Sequence, residues 1–298
     1  MTHLAWPAEA ARYPHSGIRS FSAPDSNIVL DFHGDPLKSN LVVFSDGNHH
    51  MALEASIRQF LTENPDVIDI FYTTTPPAPL VQAAKNDGLA IGNLHLSLKP
   101  DVFIGPDDII TGLHEDKIVQ QHKPFAKSRG NVLLVRKGNP KNICSISDLL
   151  SENVRLTCSN PVNEKASFSV YRQAAINLCD QAGIQNNDLL EKLTTAGENT
   201  VHSQVIHHRE VPQIIADKKA DVAIIYYHLA LRYTRIFPEI FELVDVNENL
   251  AQNNTEAGPI TDYHIGIVNT ENPWSEKFYE FMLSGSATEL YEAHGLSG

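Results

Sequence analysis

Between Leu41 and Phe60 the chain reads LVVFSDGNHHMALEASIRQF. It is a short apolar run, a turn holding a glycine, and then a segment whose Leu53, Ile57, Phe60 and Leu61 recur at helical spacing and make one apolar face. This strand, turn and helix constrain the fold more than any other stretch, because the chain then repeats the unit. Val67 to Tyr72 is a second apolar run, followed by Thr73-Thr74-Thr75-Pro76-Pro77 and a helix from about Leu80 to Asn86 that Gly88 closes. Asp101 to Gly105 is a third, and Pro106-Asp107-Asp108 opens its helix as Pro and acids do in a first turn. Alternation of this kind predicts a doubly wound, mostly parallel sheet flanked by helices, whose ligands sit at the carboxyl ends of the strands.

After Asn131 to Val135 the alternation restarts. A short helix over Ser145 to Leu150 and a strand over Val154 to Cys158 lead through Ser159-Asn160-Pro161-Val162-Asn163-Glu164 into a long helix from Ala166 to Ala182. Helices from Asp188 to Leu193 and from Glu210 to Lys219 follow, then a strand over Asp221 to Tyr227 and strands near Phe241 to Val246 and Tyr263 to Val268. Two helices close the chain, one from Pro273 and one from Ser286 to Ala293. The expected class is therefore α/β with two lobes facing a cleft. Residues 1–40, with four prolines and little periodicity apart from a strand at Asn27 to Phe32, read as an extension.

The 298 residues, 42% hydrophobic, are enough for two lobes with real cores. A net charge of -13 with no clustered Lys or Arg excludes nucleic acid as the expected partner. No apolar run reaches the roughly 18 residues of a membrane span, so no membrane insertion is expected. Met1 to Ser20 lacks the apolar core of a secretory signal. The location expected is periplasmic or extracellular if an export signal was removed, and cytoplasmic otherwise. Three cysteines, Cys144, Cys158 and Cys179, without a CxxC, read as buried thiols rather than a disulfide framework or a zinc ribbon. GxSxG, HExxH, Walker and GxGxxG motifs after a strand are all missing, so no enzyme and no cofactor is expected.

The chemistry lies in the turns. Ser45, Gly47, Asn48 and His49 stand where a helix starts, and unpaired N–H groups with the positive end of the macrodipole favour an anion there; the plain alternative is that Asn48 caps the helix. Thr74 and Thr75 add hydroxyls, or simply cap their own helix. The pairs His49/His50 and His207/His208 invite a metal reading, with one histidine from each pair, His49 and His208, as ligands; the other reading has His207 and His208 lining a loop, one of them bonded to the ligand. His202 and His228 read as structural. Arg209 offers forked donors to an oxyanion or simply pairs with Glu210. Glu164, beside Asn163, repels an anion unless it points away, pairs with Arg209 or Lys165, or binds a cation or an amine.

Taken together, LVVFSDGNHHMALEASIRQF, PDVFIGPDD, GNVLLVRKGNPKNICSISDL, VRLTCSNPVNEKASFSVYRQA and EVPQIIADKKADVAIIYYHLA resemble the periplasmic substrate-binding proteins of ABC importers, of the type II clamshell fold, and most closely the molybdate and tungstate binders. The resemblance covers about residues 40 to 298. It implies lobe 1 at 41–128 plus 264–298, lobe 2 at 129–263, and hinges near 126–132 and 260–264. It implies a small oxyanion ligand held by hydroxyls, backbone N–H groups and a tyrosine. The hydroxyl positions fall near Asn48, which replaces the family's serine, and in Thr73 to Thr75. The second-lobe donors fall near Glu164 to Ser167 and His207 to Arg209, and the tyrosine is matched by Tyr226. An ABC transporter permease is the partner implied for an exported monomer; a cytosolic ligand sensor or a metal-complex binder is the alternative.

Overall fold

A computed structural model describes residues 32–86, 88–91, 94–162, 164–204, 207–246 and 259–298. Most of the expected N-terminal extension, with all but the last residue of the strand expected at Asn27 to Phe32, lies outside these. The described chain divides into two units, residues 32–127 with 261–298, and residues 128–260.

In the first unit, strands β1 (Phe32–His33), β2 (Leu41–Ser45), β3 (Ile70–Thr73), β6 (Val102–Pro106), β7 (Gln121–Lys127) and β13 (Asp262–Ile267) form one sheet in the order β1-β3-β2-β6-β13-β7. A small hairpin, β4 (Leu89–Ile91) and β5 (Leu94–Leu96), stands apart from it in pairing. Every residue of β2 is buried, because the sheet is covered on both faces and strand side chains alternate. Leu41 and Val43 join the helical face Leu53, Ile57 and Phe60 of α1 (His50–Glu63), together with Phe278 and Tyr291 from α8 (Pro273–Met282) and α9 (Gly285–Ala293). Val42 and Phe44 turn the other way, to Leu80 of α2 (Pro77–Lys85) and to Ile110 and Leu113 of α3 (Asp107–Glu115).

In the second unit, β8 (Asn131–Arg136), β9 (Leu156–Cys158), β10 (Thr200–His202), β11 (Val222–Tyr226) and β12 (Phe241–Val244) pair in the order β10-β9-β11-β8-β12. A 3-10 turn (Ile146–Leu150) and helices α4 (Lys165–Gln181), α5 (Asn187–Thr194), α6 (His207–Ala216) and α7 (Tyr227–Ile236) complete it. Leu133, Val135, Leu156, Val222 and Ile224 meet Ala175, Leu178 and Leu189 in its core.

The two-lobed α/β class of helix-flanked sheets is as expected, and each sheet holds antiparallel as well as parallel neighbours. β3, β2 and β6 run parallel, as do β10, β9 and β11. β8 and β13 run against them. These are the strands that follow the two crossings, at 127/128 and 260/261, so they arrive from the other unit without a βαβ connection to set them parallel. The second crossing precedes β13, and residues 261–263 fall in the first unit. Cys144 departs from expectation. Cys158 and Cys179 are buried, but Cys144 is exposed, in the loop that leads to the 3-10 turn.

Candidate functional site

Because β2, β3 and β6 are parallel, the turns that follow them share one edge of the first sheet. Ser45 ends β2 fully buried; its N–H donates to Thr73 Oγ1 at 3.0 Å, and Thr73 Oγ1 donates to the Ser45 carbonyl at 3.2 Å. This reciprocal pair locks the first turn to the second. Gly47 is buried, and its carbonyl is 2.8 Å from His50 Nδ1. Asn48 is half-buried and makes no hydrogen bond among the described residues; it is not the cap of α1, a position held by His49 without any side-chain cap. Thr74 and Thr75 are buried beyond β3, and Thr74 Oγ1 is 3.0 Å from Nε2 of His33, which stacks on Tyr72.

His49 is a correction. It is turned into the core, where Nδ1 lies 2.8 Å from the Tyr291 hydroxyl and Nε2 lies 3.2 Å from Ser45 Oγ and 3.0 Å from Asp46 Oδ1. Both ring nitrogens are committed, so neither a ligand nor a metal has one to use. Asp46, which carried no role in the sequence, is 2% exposed and is the acidic side chain this imidazole faces.

The second unit is built alike. β10, β9 and β11 are parallel, and their turns share an edge. Asn163 lies outside the described residues. Glu164 is the N-cap residue of α4, but its carboxylate is folded back from the helix. Oε1 accepts from the His207 N–H at 2.7 Å and lies 3.0 Å from His207 Nδ1; Oε2 accepts from the Asn160 N–H at 3.2 Å and from the Ser203 hydroxyl. Burial pushes this carboxyl up, but the bonds from His207 and Ser203 outweigh it and hold it below its ordinary value. One carboxylate therefore joins the turns after β9 and β10 to the start of α6, and Glu164 is satisfied from within the protein.

Ser167 stands half-buried in the first turn of α4, and its hydroxyl makes no hydrogen bond among the described residues. His207, His208 and Arg209 are not in a loop: they are the first three residues of α6, which begins three residues before the expected Glu210. His207 is buried against Tyr171, with its Nε2 unpartnered among the described residues, and His208 and Arg209 are half-buried. Pro212 sits inside the helix with no N–H to give the His208 carbonyl, four residues back; the Tyr233 hydroxyl donates to that carbonyl at 2.6 Å instead. Tyr226, the last residue of β11, is 2% exposed, stacked on His228 and edge-on to Tyr171. His202 has the structural place expected of it, with Nε2 2.7 Å from the Leu193 carbonyl.

What these edges can do chemically follows from α1 and α4. Both start without a side-chain cap and without an acid in the first turn. Their first N–H groups lack intrahelical partners, and the helix field there is positive. Among the described residues no helix is long and apolar enough to cross a membrane.

The sequence profile described as bacterial extracellular solute-binding protein matches residues 41–297. No curated protein matches the chain. Among solved structures, it is similar to the periplasmic molybdate-binding protein of Azotobacter vinelandii, at 15% identity and a TM-score of 0.61 over 87% of this chain and 99% of that one. The sulfate-binding protein SubI of Mycobacterium tuberculosis is similar at 18% identity and a TM-score of 0.57, over 86% of this chain and 85% of that one. Iron-bound HitA of Pseudomonas aeruginosa is similar at 13% identity and a TM-score of 0.56, over 85% and 83%. Likeness at these identities carries the fold.

Proposed function

The chain belongs to the bacterial extracellular solute-binding proteins, and from that premise we propose that its solute is a small oxyanion, molybdate or tungstate first, handed to the membrane components of an ABC importer. The observation that carries the reading is the uncapped, acid-free start of α4, with Ser167 open in its first turn and Glu164 folded away toward His207. A carboxylate aimed at the anion would have opposed it; here that carboxylate is engaged elsewhere. In the first unit the start of α1 supports the same reading through the Asn48 amide and the hydroxyls of Thr74 and Thr75. In the second unit Tyr226 and Arg209 are the further donors of this reading. The metal reading of the histidine pairs loses support, since His49 spends both nitrogens in the core and His207 spends Nδ1 on Glu164.

The test is thermal unfolding of the ligand-stripped protein against molybdate, tungstate, sulfate and phosphate. An anion at about 100 times its Kd adds roughly 2.7 kcal/mol. Ser167→Asp is the decisive variant. An acid in a first turn favours the helix by about 0.3–1 kcal/mol, so stability is kept or raised while anion affinity falls at least tenfold. Equal affinity in wild type and variant would remove α4 from the site.

A further inference from the structure

On the face of the first sheet that carries α3, three side chains from three elements converge. His122 comes from β7, His264 from β13, and Asp107 is the first residue of α3. The Nδ1 atoms of the two histidines are 2.9 Å apart, and Asp107 Oδ1 is 3.3 Å from His264 Nδ1. One ligand atom from each residue lies within 4.8 Å of the other two.

The sheet register produces this meeting. Tyr263 and Ile265 turn into the core beneath α1, so His264 between them turns to the α3 face. His122 is paired with Gly266, diagonal to His264. A side chain at Gly266 would put its Cβ 3.4 Å from that of His122 and 2.6 Å from Val119 Cγ1, so the glycine leaves the room in which the two rings face one another. Thr111, one turn along α3, donates to Asp107 Oδ1 at 3.0 Å and fixes the carboxylate.

With both imidazoles in the Nε2–H tautomer, two ring nitrogens and a carboxylate oxygen offer lone pairs at close range. We propose that Asp107, His122 and His264 form a binding site for a divalent transition-metal ion of the zinc, nickel and copper kind. Metal–nitrogen bonds of about 2.0–2.1 Å put neighbouring ligand atoms about 2.9 Å apart at a right angle and about 3.3 Å apart in a tetrahedron, and the separations from His264 Nδ1 to His122 Nδ1 and to Asp107 Oδ1 are of this size. Two imidazoles and one carboxylate select these ions over magnesium and calcium, which take oxygen ligands. Asp107 is 55% exposed and His264 13%, so the ion enters from solvent and water fills its remaining positions. Bound there, it ties α3 to the two strands by which the chain leaves and re-enters this unit.

The experiment is a calorimetric Zn²⁺ titration of the full chain after chelator treatment, with His122→Gln, His264→Gln and Asp107→Asn beside the wild type and His208→Ala as control. Wild type and His208→Ala take up Zn²⁺ with the same affinity, and each histidine variant loses at least tenfold. Asp107→Asn, at an exposed position that leaves packing alone, weakens binding several-fold even if a histidine variant fails to fold. A wild type that takes up no Zn²⁺, or equal affinity in wild type, His122→Gln and Asp107→Asn, overturns the site.

Discussion

Glu54 is a residue whose charge works against its place. It lies on α1 with its side chain 15% exposed, and burial raises its pKa to about 7 although Arg58 one turn along pulls it down. A carboxyl raised in the folded state favours folding while protonated. The stability it allows is therefore full below its ordinary value of 4.5 and declines as the pH rises toward about 7. Glu54→Gln removes that decline: its Tm matches the wild type at pH 4 and exceeds it by roughly a few degrees at pH 8, read by circular dichroism. Residue-scale orientation was the least legible thing in the sequence. His49 was expected to face a ligand or a metal, and the direction of Glu164 stayed open between pointing away, pairing with Arg209 or Lys165, and binding a cation or an amine. His49 is held by Tyr291, 242 positions away, and Glu164 by Ser203 and His207, about 40 positions away. No local pattern encodes such partners.

At the scale of elements, two contacts join pieces that are distant in sequence. Tyr233 of α7 supplies the donor that Pro212 denies to α6. Tyr233→Phe should cost about 1–3 kcal/mol in urea unfolding with an unchanged slope, since a carbonyl loses its bond while the ring stays packed. At the opposite ends of the second unit's strands, Asp221 accepts from the Arg155 backbone at 3.0 Å and side chain at 3.3 Å and from Arg136 at 3.3 Å, joining β8, β9 and β11. Burial raises its pKa, but the Arg155 bonds outweigh that and hold it below the ordinary 3.8. Its contribution is thus present above that value and lost as the pH falls through the lower folded one. Asp221→Ala should cost on the order of 2–4 kcal/mol at pH 7 and less at pH 2, discounted because Arg155 is 39% exposed. Strong periodicity made α1 and α4 legible within a residue or two. β7, reading QHKPFAK, was missed because its outer residues are exposed and charged, and α7 because it follows β11 with no turn residue between.

For the whole molecule, the order of most strands and helices, the two-lobed α/β class and the family were within reach of the sequence. A buried parallel strand must be a continuous apolar run, and an amphipathic helix must show its period, so local composition carries both. It also pointed to the turns after parallel strands as the proposed site, since a glycine or a run of hydroxyls before a helix is itself local. Tertiary structure alone decided the rest: which sheet neighbours run antiparallel, whether Glu164 opposes or spares an anion, that His49 belongs to the core, and that His122, His264 and Asp107 meet. Each is settled by contacts across long loops, where a register shift of one residue would turn the same side chain to the other face of the sheet.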